Sequence, residues 1–569
     1  MRAGLPRPAA VAAALLVVLS AVAVGSARTD ASAHTDARKA ARPNIVVIMT
    51  DDQTVESMRV MKNVRKLLVQ RGTTFDNNFT SFPLCCPSRS TFLTGQYAHN
   101  HHVLGNNLAN GLVNLDQTNT LPVWLTAAGY HTTFVGKYLN EYRTLDGRKI
   151  PPGWTEWYAG LTLAYFNHTM NRNGKVVSYG SRPEDYQTDV YTRTAVSAID
   201  LAKSDPRPLF MWLSYFAPHY GGPREPNDPP DLRTTVAAPR HRGKILNVPL
   251  PRPPSFNEAD VTDKPAGIQN RQLLTEENIA SLTSSYRQRL QSLLAVDDGV
   301  AKVIGALKTT GRLDNTLIIF TSDNGYLQGE HRVRDAKELV YENSIRVPLV
   351  MRGPGVPQGL HLQQLVMNTD LAPTILEAAR AAPGRVEDGA SMLPYFSDMK
   401  LETGRDILLE RGPGGNNTGS ARLYTAIRTP RFKYVENRTG EVELYDLQTD
   451  PDELESKDGL GEYATVQWEL AQRLAALRDC VGEACRRGPQ LQLRAESESG
   501  CVRTLRVDGA DSAELESVEF LSQGKQLRTT ASIPFELRLA QGAQTQVRAL
   551  VTLNDGRRLT LDTSVRACG

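Results

Sequence analysis

The sequence predicts an α/β protein: a doubly wound domain around a mainly parallel sheet, then a smaller α+β subdomain and a small all-β module. Three observations carry this. Ile45 to Met49, "PLFMWLSYF" from Pro208 and "TLIIFT" from Thr316 are continuous apolar runs, as strands buried on both faces require. Segments of helical periodicity separate them, which is the alternation of a wound parallel sheet. From about residue 400 the texture changes to period-two alternation, which marks antiparallel strands.

Taken in order, Arg2 and Arg7 precede the apolar run "AAVAAALLVVLSAVAV", and small residues follow near Ala27 and Ala33. This order predicts an export signal over 1–33, since the run is short for a membrane anchor. No later segment reads as a span, so a protein outside the cytoplasm, without stable membrane insertion, is expected. "PNIVVIMTDDQ" is a strand ending in Asp51 and Asp52. "MKNVRKLLVQRG" is a helix capped by Gly72, and "SRSTFLTGQ" starts another. "TLPVWLTAAGYHTTFVGKYLN" reads helix, turn, strand. The Pro-rich stretch 221–256 is too polar for core and reads as a surface loop near a site. "ENIASLTSSYRQRLQSLLAVDDGVAKVIGALKTTG" is a long amphipathic helix, and "TLIIFTSDNG" a further buried strand with acids at its end.

Beyond these, "YTAIRTPRFKYVE" and "EVELYDL" alternate as antiparallel strands, and "ATVQWELAQRLAALRD" is a helix. The last eighty residues or so carry short alternating strands, which predicts a small sandwich. The expected boundaries are 1–33 for the signal, 43–390 for the α/β domain, 391–485 for the subdomain and 490–569 for the β-module.

The chain has 569 residues, 40% hydrophobic and 22% charged, with a net charge of +3. That length predicts more than one core, and the balanced charge without a basic block gives no sign of nucleic-acid binding. Of six cysteines, Cys480, Cys485, Cys501 and Cys568 lie near the C-terminus. In an oxidising compartment these four form two bridges by one of three connectivities. Cys480–Cys485 with Cys501–Cys568 would each close a local unit. Cys85 and Cys86 are left over, and adjacent cysteines do not readily bridge each other.

Asp51 and Asp52, then Asp323 and Asn324, end separate strands with hard oxygen ligands. Such a set suits Ca²⁺ or Mg²⁺ rather than zinc. The strand ends are also where open α/β sheets hold ligands.

Cys85-Cys86-Pro87-Ser88-Arg89, followed by Leu93-Thr94-Gly95, matches C-x-P-S-R-x-x-x-L-T-G, the signature of the sulfatase family. The chain resembles that family over about residues 43 to 480. The resemblance implies an alkaline-phosphatase-like fold with a doubly wound mixed sheet. It also implies that Cys85 is converted to 3-oxoalanine (formylglycine) by a formylglycine-generating enzyme. The hydrated aldehyde then carries two hydroxyls on one carbon: one attacks sulfur, and deprotonation of the other ejects sulfate. By the same resemblance Asp51, Asp52, Asp323, Asn324 and the modified Cys85 ligate the metal, and Arg89 supports the formylglycine. Lys137 and Lys337 contact sulfate, and His219 stands near the leaving oxygen as a candidate general acid.

One departure is visible. Many sulfatases read G-K-x-H where this chain has "GKYLN", so Leu139 takes the histidine position; His131 and His331 are the candidates to compensate. "GKYLNEY", "PPGW" and "YAHNHHVLGNN" resemble the N-acetylglucosamine-6-sulfatase branch and the related heparan endosulfatases. The implied substrate is a sulfated carbohydrate, such as an N-acetylglucosamine 6-sulfate, or an aryl sulfate. Two alternatives are a phosphonate monoester or phosphodiester hydrolase of the same superfamily, and an inactive carbohydrate-binding protein.

Overall fold

The computed structural model describes residues 42–566, except 146, 227, 402, 413–421, 490, 499–500, 510–514, 533, 540–543 and 554–556. The expected export signal and the expected Cys501–Cys568 bridge lie outside the described residues. No helix among the described residues is long and apolar enough to cross a membrane.

Five strands organise the main sheet: β1 (Asn44–Thr50), β2 (His131–Gly136), β3 (Leu209–Ser214), β4 (Thr316–Ser322) and β5 (Leu349–Arg352). β1 lies between β3 and β4, parallel to both, and β2 lies parallel beyond β3. Glu156–Gly160 extends the parallel part, whereas β5 on one side and Thr169–Arg172 on the other run antiparallel. The sheet has ten strands and is mixed, with its parallel part at the centre.

β1 alternates between two cores, because successive side chains of a strand leave opposite faces. Ile45, Val47 and Met49 join one cluster, and Val46 and Ile48 join the other. Helices α1 (Cys85–Thr94), α2 (Gln187–Leu201), α3 (Glu276–Thr309) and α4 (Leu371–Ala379) cover the sheet. α1 and α4 contribute to the first cluster, α2 and α3 to the second. α3 starts in a capping box, with Thr275 and Asn278 satisfying each other's backbone N–H groups.

The helix expected to end at Gly72 breaks earlier, at Leu67, and Gly72 itself is extended rather than left-handed. Glycine is needed there for space: a Cβ would stand 2.1 Å from the Met351 carbonyl oxygen.

Further along, Ile407–Arg411, Tyr424–Arg428, Phe432–Asn437 and Val442–Asp446 form an antiparallel sheet, packed by α5 (Ala464–Leu477). Its core continues into Phe79, Tyr97, Leu327 and Tyr341 of the larger unit. Cys480 and Cys485 are bridged. The last segment forms a three-stranded and a four-stranded antiparallel sheet sharing one apolar core, with Leu505, Val518, Phe520 and Val551 at its centre. Buried Arg557 ties it to the preceding part, donating to the Gly404 carbonyl at 2.6 Å and to Asp406 at 3.0 Å.

Candidate active site

The parallel register places Thr50 opposite Ser322, so the acids that follow β1 and β4 emerge side by side. Asp52 adopts a left-handed conformation, φ 67°, which is costly for a residue with a Cβ and persists only where neighbours over-determine it. Two contacts do this. Its N–H donates to Asp323 Oδ1 at 3.1 Å, and its carbonyl accepts from the guanidinium of Arg289 on α3.

Above them α1 begins at Cys85 itself, three residues earlier than the expected start at Ser88. Pro87 falls in the first turn, where the missing N–H costs nothing. Every residue of α1 is buried, and Gly95 closes it at φ 68°. The Cys85 sulfur lies 3.6 Å from Asp51 Oδ1, 3.3 Å from Lys137 Nζ and 2.9 Å from Lys337 Nζ. Lys137 also pairs with Asp51, and Lys337 with Asp52. Arg89, one turn along α1, donates to Asp323 at 2.8 Å and to Ser214 Oγ and the Lys137 carbonyl, each at 2.7 Å. His219 Nε2 stands 3.8 Å from Asp52 Oδ2.

Burial and charge oppose each other here. Burial favours neutral Asp51, yet Lys137, His219, Arg89 and Lys337 hold its carboxyl below the usual range. Burial pushes His219 down to about 4 and, with Asp51, pushes the Cys85 thiol up to about 11. As a cysteine, Cys85 is a protonated thiol at neutral pH, a poor nucleophile and a poor metal ligand.

The residues fit a divalent cation. Ligand atoms of Asp51, Asp52, Cys85 and His219 lie within 4.8 Å of one another. Asp52 Oδ2 and Asn324 Oδ1 are buried acceptors with no hydrogen-bond partner, a condition that is normally expensive. A hard cation would satisfy both, and the oxygen-rich set suits Ca²⁺ or Mg²⁺. Asp323 is adjacent, and its carboxylate is oriented by Arg89 and by the N–H groups of Asp52 and Asn324.

Of the predicted residues, then, the structure gathers Asp51, Asp52, Cys85, Arg89, Lys137, His219, Asp323, Asn324 and Lys337. His131 is not among them. It begins β2, about 17 Å of strand away from the end that holds Lys137, and is bound to Asp205 at 2.8 Å. His331 is turned to Glu258 at 2.6 Å and stacked on Tyr341. Leu139 is packed into the core beside Tyr138. Neither histidine therefore supplies the group that Leu139 lacks. Cys86 is a core residue, with its thiol pushed up to about 12 by burial.

Sequence reasoning missed Arg289 and Asn106. Arg289 is buried, stacks over Tyr326 at 4.0 Å, and grips the Pro218 carbonyl at 3.2 Å as well as Asp52. Its signal was an arginine on the α3 face that also carries Leu282, Tyr286 and Leu293. Asn106 accepts the Cys86 N–H at 2.9 Å; it lies in "YAHNHHVLGNN", which gave a family resemblance but no role for this residue.

Fold and site together fit a hydrolase of anionic esters, with Cys85 at a helix start beside two lysines. The family profile described as Sulfatase matches residues 43–381, and that described as N-sulphoglucosamine sulphohydrolase, C-terminal, matches 329–480. Human N-acetylglucosamine-6-sulfatase is 34% identical over 493 residues, covering 78% of this chain and 86% of that protein. A Volvox carteri arylsulfatase is 33% identical, covering 83% and 79%. A solved structure described as in complex with its substrate D-glucosamine-2-N,6-O-disulfate aligns with a TM-score of 0.63 at 25% identity, covering 77% and 98%. A phosphonate monoester hydrolase of Agrobacterium radiobacter, 22% identical with a TM-score of 0.56 over 77% and 95%, shares the fold. The chain belongs to the sulfatase family, and its activity class is that of a sulfuric ester hydrolase.

Proposed function

We propose that this chain is a secreted sulfatase cleaving sulfate monoesters of sulfated sugars, with N-acetylglucosamine 6-sulfate the first candidate. Cys85 would be converted to formylglycine by a formylglycine-generating enzyme, beside a bound Ca²⁺, with Mg²⁺ the alternative. The observation that carries the reading is the surroundings of Cys85. Two lysines and the carboxylates of Asp51, Asp52 and Asp323 converge on a side chain whose thiol is pushed up to about 11 by burial. The hydrated aldehyde, next to the cation, supplies a nucleophilic hydroxyl and a second hydroxyl whose deprotonation releases sulfate.

The chain's own residues do the rest. Lys137 and Lys337 reach the position from two sides and offset the charge on the sulfate oxygens. Arg89 neutralises Asp323 and locks α1 to β3 through Ser214. The His219 Nδ1–H donates to the Tyr220 carbonyl at 2.7 Å, which leaves Nε2 facing the site. An anionic substrate favours protonation of Nε2, from which the departing alcohol takes its proton. Asp51, Asp52, Asp323 and Asn324 would hold the cation, and Arg289 keeps Asp52 aimed at it.

Secretion is supported by the N-terminal run and by relatives named as extracellular sulfatases, among them a putative Sulf-1 homolog of Caenorhabditis elegans. That relative is 38% identical over 65% of this chain and 52% of its own length.

A peptide mass spectrum across Cys85, with an aldehyde-reactive probe, tests the nucleophile. The expected result is the formylglycine mass, hydrolysis of N-acetylglucosamine 6-sulfate, loss of turnover on chelation and its recovery with Ca²⁺. Active protein carrying an unmodified cysteine would sink the proposal. So would faster cleavage of a matched phosphonate monoester than of the sulfate. Binding of sulfated sugar without turnover in aldehyde-bearing protein would favour the carbohydrate-binding alternative.

A further inference from the structure

Beside His219, across the Tyr220 ring, lies a cavity of about 250 Å³, lined by Leu163, Tyr220, Gly221, Gly222, Arg224, Arg233 and Thr234. It is too small for a length of polysaccharide and large enough for one substituent. Its wall is continuous with the site. The Tyr220 ring lies 4.2 Å from the His219 ring, and the Arg233 guanidinium lies over the Tyr220 ring at 5.2 Å. The Arg233 guanidinium is therefore no more than 9.4 Å from the His219 ring, about one sugar unit away.

The arginines of this cavity form no contact ion pair with any described residue. Among the described residues, neither Arg224 nor Arg233 has a carboxylate oxygen within 4.0 Å. Other arginines of the chain do: Arg240 pairs with Asp189 and Asp298, Arg242 with Glu225, and Arg334 with Asp231. Arg233 donates to the Tyr220 hydroxyl at 3.1 Å, and Arg224 is held by backbone carbonyls of Asp228, Pro229 and Pro230. Both guanidiniums are thus held directly by neutral groups, which leaves their N–H donors free of a contact carboxylate. Asp335 lies in the field of Arg233 without touching it, and its carboxylate accepts from the hydroxyl of Tyr326. At Gly222 a Cβ would meet nothing within 4 Å, so the cavity floor is open there.

We propose that this cavity is a subsite for a second anionic group, a sulfate or a carboxylate, carried on the same sugar as the cleaved ester or on the next one. Arg233 is its principal contact and Arg224 its second. Leu163 and Tyr220 supply an apolar wall for the sugar face. The inference rests on the sulfated-carbohydrate reading above and narrows it: the enzyme prefers a substrate that is anionic at two places.

The test is a comparison of kcat/KM on four compounds. p-Nitrophenyl sulfate and N-acetylglucosamine 6-sulfate carry one anion. Glucosamine 2-N,6-O-disulfate adds a sulfate on the same ring. A uronate-linked disaccharide of N-acetylglucosamine 6-sulfate adds a carboxylate on the next. The wild type should favour at least one doubly anionic compound, and which one identifies the group. Arg233→Gln should lower the ratio of doubly to singly anionic kcat/KM by about 10- to 100-fold, mainly through KM, with partial rescue by Arg233→Lys. No preference in the wild type, or a ratio unchanged by Arg233→Gln in protein of wild-type Tm, would overturn the subsite. Failure of the wild type on every sulfate ester would instead mark the failure of the Cys85 reading, and the subsite would fall with it.

Discussion

Lys337 shows how much a single side chain can carry. Its ammonium touches both Asp52 and the Cys85 sulfur, so it is shared between the proposed cation site and the proposed nucleophile. Lys337→Ala should lower kcat/KM by roughly 10²- to 10³-fold, the scale for removing one preorganised charge. Lys337→Arg should not restore it, because a planar guanidinium cannot replace a compact ammonium here. A loss under about 5-fold would remove Lys337 from the reacting centre. At this scale most of the site was legible. Asp51, Asp52, Asp323 and Asn324 sit directly after apolar strands, and parallel pairing forces such strand ends together. His131 and His331 were not legible in the same way. His131 precedes Lys137 by only six positions, but a strand carries those positions apart, whereas a turn would have brought them together. Arg289 was hidden because a residue far along the chain reaches the site across the packing of α3, which no local pattern records.

At the scale of elements, α1 is the most demanding piece. It is buried along its whole length despite a polar sequence, so its polar groups must be matched by partners rather than by solvent. Its far end meets Glu387: a Cβ on Gly95 would stand 2.8 Å from Glu387 Oε1. Burial pushes the Glu387 carboxyl up to about 7. The folded chain therefore binds this proton more tightly than the unfolded chain. Glu387 contributes stability that is fully present below the usual glutamate range and lost as pH rises towards 7. Glu387→Gln should be the more stable protein at pH 8, by about 1 kcal/mol after solvent screening, with the advantage vanishing near pH 4.5. Urea unfolding at pH 4.5, 6 and 8 checks this; parallel profiles would show that Glu387 ionises without penalty. The strands of the main sheet were legible as apolar runs. The start of α1 was not, because Cys85 and Cys86 give no capping signal and Leu84 enters extended without a side-chain cap.

Over the whole molecule, one carboxylate joins three parts. Asp406 takes Arg473 from α5 at 2.8 Å and Arg557 from the C-terminal sheets at 3.0 Å. All three are buried. Asp406→Asn withdraws the charge that two buried guanidiniums share, which should cost about 3–5 kcal/mol. Limited proteolysis should then release the segment from about residue 490 well before the rest is cut. Wild-type resistance would mean that packing of Leu559 at Gly404 suffices to hold it. The short strands of this segment were visible as alternating sequence. Its attachment was not, since Arg557 looks like any other charged residue of a β-turn.

Finally, Cys85 is only 1% exposed, roofed by a helix with no residue at the surface. No other protein's active site can close around that sulfur while α1 is docked. The conversion proposed for Cys85 therefore belongs to the chain's biosynthesis and not to its working life, and it runs in competition with folding. Molecules that fold first are sterile from birth. The yield of active protein then becomes a ratio of two rates, one of them set by how quickly this segment packs against β3 and β4. Supplying the converting enzyme to folded, thiol-bearing protein should produce no aldehyde. Supplying it to the same protein during dilution from denaturant should.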